Sequence, residues 1–420
     1  MNRVLVAVAV ALLVAFAAVG ILAGEEEPEQ QQRVAPGRGE SLEQVSERVR
    51  EVARGVERVR ELEFDRLPRV RLVGVQEATR DSLAELDRYV PPRRQRIEER
   101  LLAMLGLLPP GVRLREVLGE ALTEEVAGYY VPRTETMALV RGAGLAGLLA
   151  EVTLAHELTH ALEDQRFDIE PHGAGGFLSD RAVSDAALRE GSATLAMVEY
   201  VALTQGAGQE LPPEVRRRLL EELDELALPA SSGLPRYVRE GLVFSYAAGA
   251  IFVSRLESRG GWAAVDRAFE EAAPVSSEQI MHPRKYEAGE RPVRVRLPGV
   301  RAALPEDARR IARGDLGEFD TEQFLRDANG RRRSEEAAAG WGGSAAELWR
   351  LPDGGDVLVM GWAWDTGRDA LEFEAAAERS VDRLGGAGAV NGGNEGVVSV
   401  VLAPSASLAR RVARRIERGG

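Results

Sequence analysis

Five residues, His156-Glu157-Leu158-Thr159-His160, constrain the fold more than any other stretch of the chain. They lie in an apolar run over 145–167 with no proline and no glycine after Gly147. The run predicts a helix over 144–167, and on a helix residues four apart share a face. His156 and His160 can then aim ring nitrogens at one point, as two ligands of a tetrahedral zinc must. Glu157 is rotated about 100° from His156. Its carboxylate therefore stands beside the metal, where it can take a proton from a water that the metal activates. The chain has only four histidines, so two of them in this motif are hard to obtain by accident. The bland alternative is a helix whose two histidines are merely packed or solvated.

Catalytic zinc needs a third protein ligand and an open position. With no cysteine there is no thiolate ligand, disulfide, cysteine nucleophile or lipidated-cysteine anchor. A third histidine six residues after His160 would mark the metzincin arrangement. That position is Arg166, and Glu163 stands where the glycine of that pattern would be. The best remaining candidate is Glu190, on a helix expected over 179–203 among small residues such as Ala186, Ala187 and Ala193. A carboxylate there is costly unless it is paired or bound to metal. Gly191, beside it, is expected to let the His156 helix approach. His172, in a glycine-rich loop over 171–176, and Asp180 or Asp185 remain alternatives, and Glu190 can also be read as a surface glutamate. Ligating histidines usually donate their second N–H to an acceptor, for which Asp164 and Asp185 are candidates.

The stretch H-E-L-T-H-A-L-E-D-Q-R-F-D, followed by A-L-R-E-G-S-A-T, resembles the glutamate-zincins (gluzincins), in particular a family of bacterial zinc metallopeptidases. The likeness extends to G-Y-Y-V-P-R-T over 128–134, F-S-Y-A-A-G over 244–249, H-P-R-K-Y over 282–286 and G-W-G-G over 340–343. The chain departs from the pattern at Glu163, Arg166 and Ser344, none of which touches the proposed ligands. The resemblance implies one Zn²⁺ held by His156, His160 and Glu190, with Glu157 as general base. It also implies a histidine or tyrosine from a later segment that donates to the developing oxyanion. Two residues qualify: Tyr246, in an apolar helix expected over 243–256, and His282, fixed in a turn by Pro283. Each also has a purely structural reading, as a core tyrosine or a turn histidine.

The rest of the chain frames this site. Residues 4–23 are an uninterrupted apolar run, preceded by Arg3 and followed by Glu25-Glu26-Glu27. That is long enough to cross a bilayer, and the charges favour an N-terminus inside and the bulk outside. The expectation is a transmembrane signal-anchor over 1–24, or alternatively a cleaved signal peptide and a secreted protein. Residues 25–40, rich in Glu, Gln, Pro and Gly, read as a flexible linker. Val45, Val49, Val52, Val56 and Val59 predict a helix opened by Ser41 and Gln44. A strand over 70–75 and two helices over 77–108, broken at Pro91-Pro92, follow. Residues 126–131 and 137–141 flank a turn and predict a β-hairpin whose edge can pair with an extended substrate, or only cover the core. Beyond 315, strands over 348–351, 357–364 and 397–402, helices over 370–383 and 408–418, and a glycine-rich loop over 385–396 predict a separate module.

The fold class expected is α+β: a mostly helical, zincin-like metallopeptidase domain over 41–314 and a small C-terminal α+β module over 315–420. A net charge of −13 argues against nucleic acid or an anionic membrane surface as the main partner. The function expected is that of a membrane-tethered, extracytoplasmic zinc metallopeptidase acting on peptides or proteins. The alternatives are an extracytoplasmic binding protein that keeps the zincin fold without catalysis, and zinc hydrolysis of a non-peptide bond. Nothing in the sequence sets the oligomeric state.

Overall fold

The computed structural model describes residues 41–125, 128–141, 147–169, 178–205, 211–230, 233–385, 387–392 and 397–417. The expected anchor and linker lie outside these residues, as does His172. Among the described residues no helix is long and apolar enough to cross a membrane.

The chain is α+β. Helix α1 (Leu42–Arg60) opens on a reciprocal capping box between Ser41 and Gln44, and its valine stripe is buried. Strand β1 (Arg69–Val73) leads to α2 (Val75–Tyr89) and α3 (Pro92–Met104), separated at the expected prolines. After α4 (Leu114–Glu125) come β2 (Gly128–Val131) and β3 (Thr136–Val140), an antiparallel hairpin. Strand β1 pairs parallel to β3 on its other side, giving the order β1-β3-β2 and leaving β2 at an edge.

Helix α5 (Leu148–Phe167) carries the two motif histidines, and α6 (Asp180–Gln205) packs along it. Next are α7 (Pro213–Ala230) and α8 (Arg236–Val243), the latter continuing through a π-turn (Phe244–Ala248) into α9 (Gly249–Gly260). The apolar helix expected over 243–256 thus begins seven residues earlier, at Arg236. The π-turn throws the two halves out of phase, so no single 3.6-residue period runs through them.

Gly191 does not serve the contact expected of it. A Cβ there would lie 2.2 Å from the carbonyl carbon of Gly249, and one on Gly249 would lie 2.1 Å from the oxygen of Ala187. The pair admits the helix that bears Tyr246, so it is α9 and not α5 that crosses closely at this point. Gly249→Ala is expected to cost about 3 kcal/mol by overpacking, read as a lower urea midpoint with unchanged slope.

Short helices α10 (Trp262–Glu270), α11 (Ser277–Met281), α12 (Pro283–Glu287) and α13 (Val300–Ala303) lead to the C-terminal sheet. It consists of β4 (Arg309–Gly314), then α14 (Glu318–Asn329) and α15 (Arg331–Ala338), then β5 (Trp341–Arg350) and β6 (Asp356–Trp364). Helix α16 (Gly367–Arg383), β7 (Gly388–Gly392), β8 (Val397–Leu402) and α17 (Ala406–Glu417) complete it. The strand order is β4-β5-β6-β8-β7, all antiparallel.

Three sequence expectations need correcting here. The module starts before residue 315, because β4 is its first strand. Strand β5 begins at Trp341 and not near 348. Its glycines hid it, and one of them answers to the close crossing of Val293, since a Cβ on Gly343 would lie 2.3 Å from the Val293 carbonyl oxygen. The stretch over 385–396 also contains an edge strand, β7, where Gly388 lets Val381 and Leu402 close in.

Met360 and Trp362 of β6 turn one face of the sheet towards the main core, while Val357 and Val359 turn the other towards α13 and α17. Lys285, the only lysine, closes a seam between the two parts. Its ammonium lies 2.6 Å from Glu278, 2.8 Å from Glu290 and 2.6 Å from Asp365 just after β6. These carboxylates cluster closely enough to hold a metal, but the ammonium already occupies their centre.

Candidate metal centre

Helix α5 brings His156 and His160 together as their spacing requires, with Nε2 atoms 3.1 Å apart. Helix α6 adds Glu190, whose Oε2 is 3.4 Å from His156 Nε2 and 3.3 Å from His160 Nε2. Four ligands at zinc–nitrogen and zinc–oxygen bond lengths sit about 3.3 Å apart at the corners of a tetrahedron. The three atoms therefore already form one face of that tetrahedron. Glu190 Oε2 is buried and receives no hydrogen bond from the described residues. An ionised oxygen stripped of water and donors is costly unless a cation meets it. Burial works against the Glu190 carboxylate charge, but the two imidazoles prevail and hold its pKa far below the usual range. The donor set fits Zn²⁺ in both chemistry and spacing.

Glu157 is not one of the three. Its Oε2 accepts a hydrogen bond of 2.8 Å from the backbone N–H of Tyr130 on β2. Burial pushes its pKa up to about 7, against the pull of His156 and the Tyr130 N–H, and Glu190 adds to the rise. The Tyr130 hydroxyl donates to Asp164 Oδ2 at 2.9 Å. Tyr130 thus clamps the edge strand to α5 twice, once by main chain and once by side chain. Sequence reasoning missed this residue because its key contact is a backbone N–H, which any side chain leaves unchanged. Asp164 is engaged by that hydroxyl, and Asp185 by Arg181 at 3.0 Å. His156 Nδ1 has no partner among the described residues, so neither aspartate takes the expected role towards it.

Tyr246 lies in the π-turn with its ring stacked on that of His156, centroids 5.6 Å apart. It is buried, and its hydroxyl makes no hydrogen bond of full geometry to the described residues. Burial, followed by the charges of Glu190 and Glu157, raises its pKa well above the ordinary value. The hydroxyl stays protonated and remains available as a donor. His282 is not brought to the trio. Its Nε2 is 2.9 Å from Glu318 Oε1, and this pairing lifts its pKa. Asp180 is likewise engaged elsewhere, accepting from Ser277 N at 2.9 Å.

Behind the trio lies a buried ionic network. Arg60, fully buried at the end of α1, donates to Glu163 at 2.9 Å and to Asp266 at 3.0 Å, and its guanidinium lies 4.1 Å over the Trp262 ring. Ser192 donates to the same Glu163 oxygen. Glu163 follows His160 by three residues and Ser192 follows Glu190 by two, so the network ties α5 and α6 together one turn past the trio.

Comparison with known proteins adds little to this picture. A crystal structure described as that of a "putative hydrolase with a novel fold" from Chloroflexus aurantiacus is similar at 15% identity and a TM-score of 0.37. The match covers 66% of this chain and 97% of that one. No curated protein matches. Residues 304–418 match a family model described as a domain of unknown function (DUF8575), which takes in the C-terminal sheet from before β4 to the end of α17.

Proposed function

We propose that the protein is a zinc metallopeptidase of gluzincin type, tethered to a membrane by residues 1–24 with its bulk outside the cytoplasm. The observation that carries this reading is the triangle of His156 Nε2, His160 Nε2 and Glu190 Oε2, with its donorless buried oxygen. Zn²⁺ bound there supplies Lewis-acid activation of a water and of the scissile carbonyl.

The protein's own residues supply the rest. Glu157 takes the water's proton on Oε1, since Oε2 is held by Tyr130, and delivers it to the leaving amine. The Tyr130 N–H fixes the carboxylate before substrate arrives, so no reorientation is needed during the reaction. Tyr246 donates its hydroxyl proton in a hydrogen bond to the oxygen that gains charge. Of the two donors weighed from the sequence, Tyr246 is favoured because His282 is committed to Glu318.

The test is zinc per chain in purified wild type and Glu190→Ala. One zinc in wild type and clear loss in the variant is expected, read by metal analysis after dialysis. Zinc retained in the variant would move the third ligand elsewhere. No zinc in wild type after adding it back would leave a non-catalytic binding protein as the better account.

A further inference from the structure

The C-terminal module carries a charge distribution that the net charge conceals. The outer face of its sheet is covered by two pieces in contact with each other, residues 291–304 and α17. Arg411 donates to the carbonyl of Ala303 at 3.1 Å, and a Cβ on Gly299 would lie 3.0 Å from Arg415 Cγ. The first piece exposes Arg291, Arg294, Arg296 and Arg301. The second exposes Arg410, Arg411, Arg414 and Arg415, while Ala409, Val412, Ala413 and Ile416 pack inward. Within these two pieces Glu417 is the one carboxylate, and Glu290, Glu306 and Asp307 flank the first piece.

The bland reading is the ordinary polar outside of an amphipathic helix in an arginine-rich chain. Density argues against it: eight exposed arginines lie on two touching pieces, whereas the arginines of the other helices are interspersed with acids and several are paired. On α7, Arg217 pairs with Glu214 and Glu221; on α15, Arg331 pairs with Glu335; on α16, Arg368 pairs with Glu372. Among the described residues none of the eight has a carboxylate partner, and Arg301 and Arg411 reach only backbone oxygens. A chain of net charge −13 has thus gathered unpaired cations on one layer.

We propose that this layer docks on an anionic phospholipid surface and so orients the catalytic body against the bilayer. Clusters of four to eight basic residues on an amphipathic helix bind such surfaces by summed electrostatics. Lipid is favoured over other polyanions because residues 4–23 are apolar enough to hold the chain at a bilayer, where even weak attraction acts at high effective concentration. To that extent the inference rests on the membrane reading above. It also revises the expectation drawn from net charge, which averages an acidic body with a basic face.

The experiment uses the full chain reconstituted on vesicles of phosphatidylcholine alone or mixed with phosphatidylglycerol. Co-flotation with the neutral vesicles reports the anchor by itself. Docking is read separately, as the rate at which phenylglyoxal modifies Arg410, Arg411, Arg414 and Arg415, with Arg332 on α15 as internal control. Modification about tenfold slower on the anionic vesicles, reversed by high salt, is expected. Exchanging those four arginines for glutamine should leave flotation on neutral vesicles unchanged. It should also restore a neutral-vesicle rate at Arg291, Arg294 and Arg296. Equal rates on the two vesicle types would overturn the proposal. So would protection by soluble heparin without protection by anionic vesicles, which would assign the face to an acidic macromolecule.

Discussion

Glu157→Gln is expected to lower peptide hydrolysis by about a thousandfold while leaving zinc content unchanged. The amide is nearly isosteric and can still accept the Tyr130 N–H, so the strand and helix should stay in place. What it loses is the ability to hold a proton at Oε1. Neither His156, His160 nor Glu190 changes, and the ligand triangle does not use the Glu157 carboxylate. The measurement is turnover of a mixed peptide library together with metal analysis of the same preparation. Turnover near the wild-type level would remove Glu157 as the base. Lost turnover accompanied by lost zinc would mean that its part is to support the site.

Arg60→Ala is expected to destabilise the protein by about 4 kcal/mol, because it leaves Glu163 as a buried charge with its principal cation removed. The Trp262 face also loses the cation above it. The effect should reach the proposed zinc site, since Glu163 and Ser192 join α5 to α6 just beyond His160 and Glu190. Urea unfolding of the metal-free protein measures the stability, and a zinc titration measures the coupling. The double variant Arg60→Met with Glu163→Leu should recover most of the stability, as replacing a whole buried pair by apolar groups often does. No recovery would place the cost in lost packing and not in an orphaned charge.

The sequence was informative where the chemistry is local. His156 and His160 could be placed on one helix face because four residues always make about one turn. Glu190 stood out because a carboxylate among alanines demands a partner. The expected hairpin, the proline break before α3 and the capping box at Ser41 depend in the same way on neighbours in the chain. What could not be read depends on distant approach. Tyr130 acts through its backbone, and Gly191 has a purpose only once Gly249 is known to face it. Strand β5 runs through Gly343, whose reason is Val293, far back in the chain. Nothing near Arg60 in the chain marks it, because only the tertiary fold supplies Glu163, Asp266 and Trp262.

The π-turn at Phe244–Ala248 has a consequence for reading this chain against its relatives. A π-turn holds one residue more than the α-helical turn it replaces, so α8 and α9 follow different numbering along one continuous rod. A relative shorter by one residue here would keep the same helix, the same ends and almost the same length. Yet it would turn a different side chain towards His156. Residue identity at the aligned column is therefore a poor guide to which side chain stacks on His156. The column has to be counted from Gly249, where the helix crossing fixes the phase, and not from Pro235 at its start.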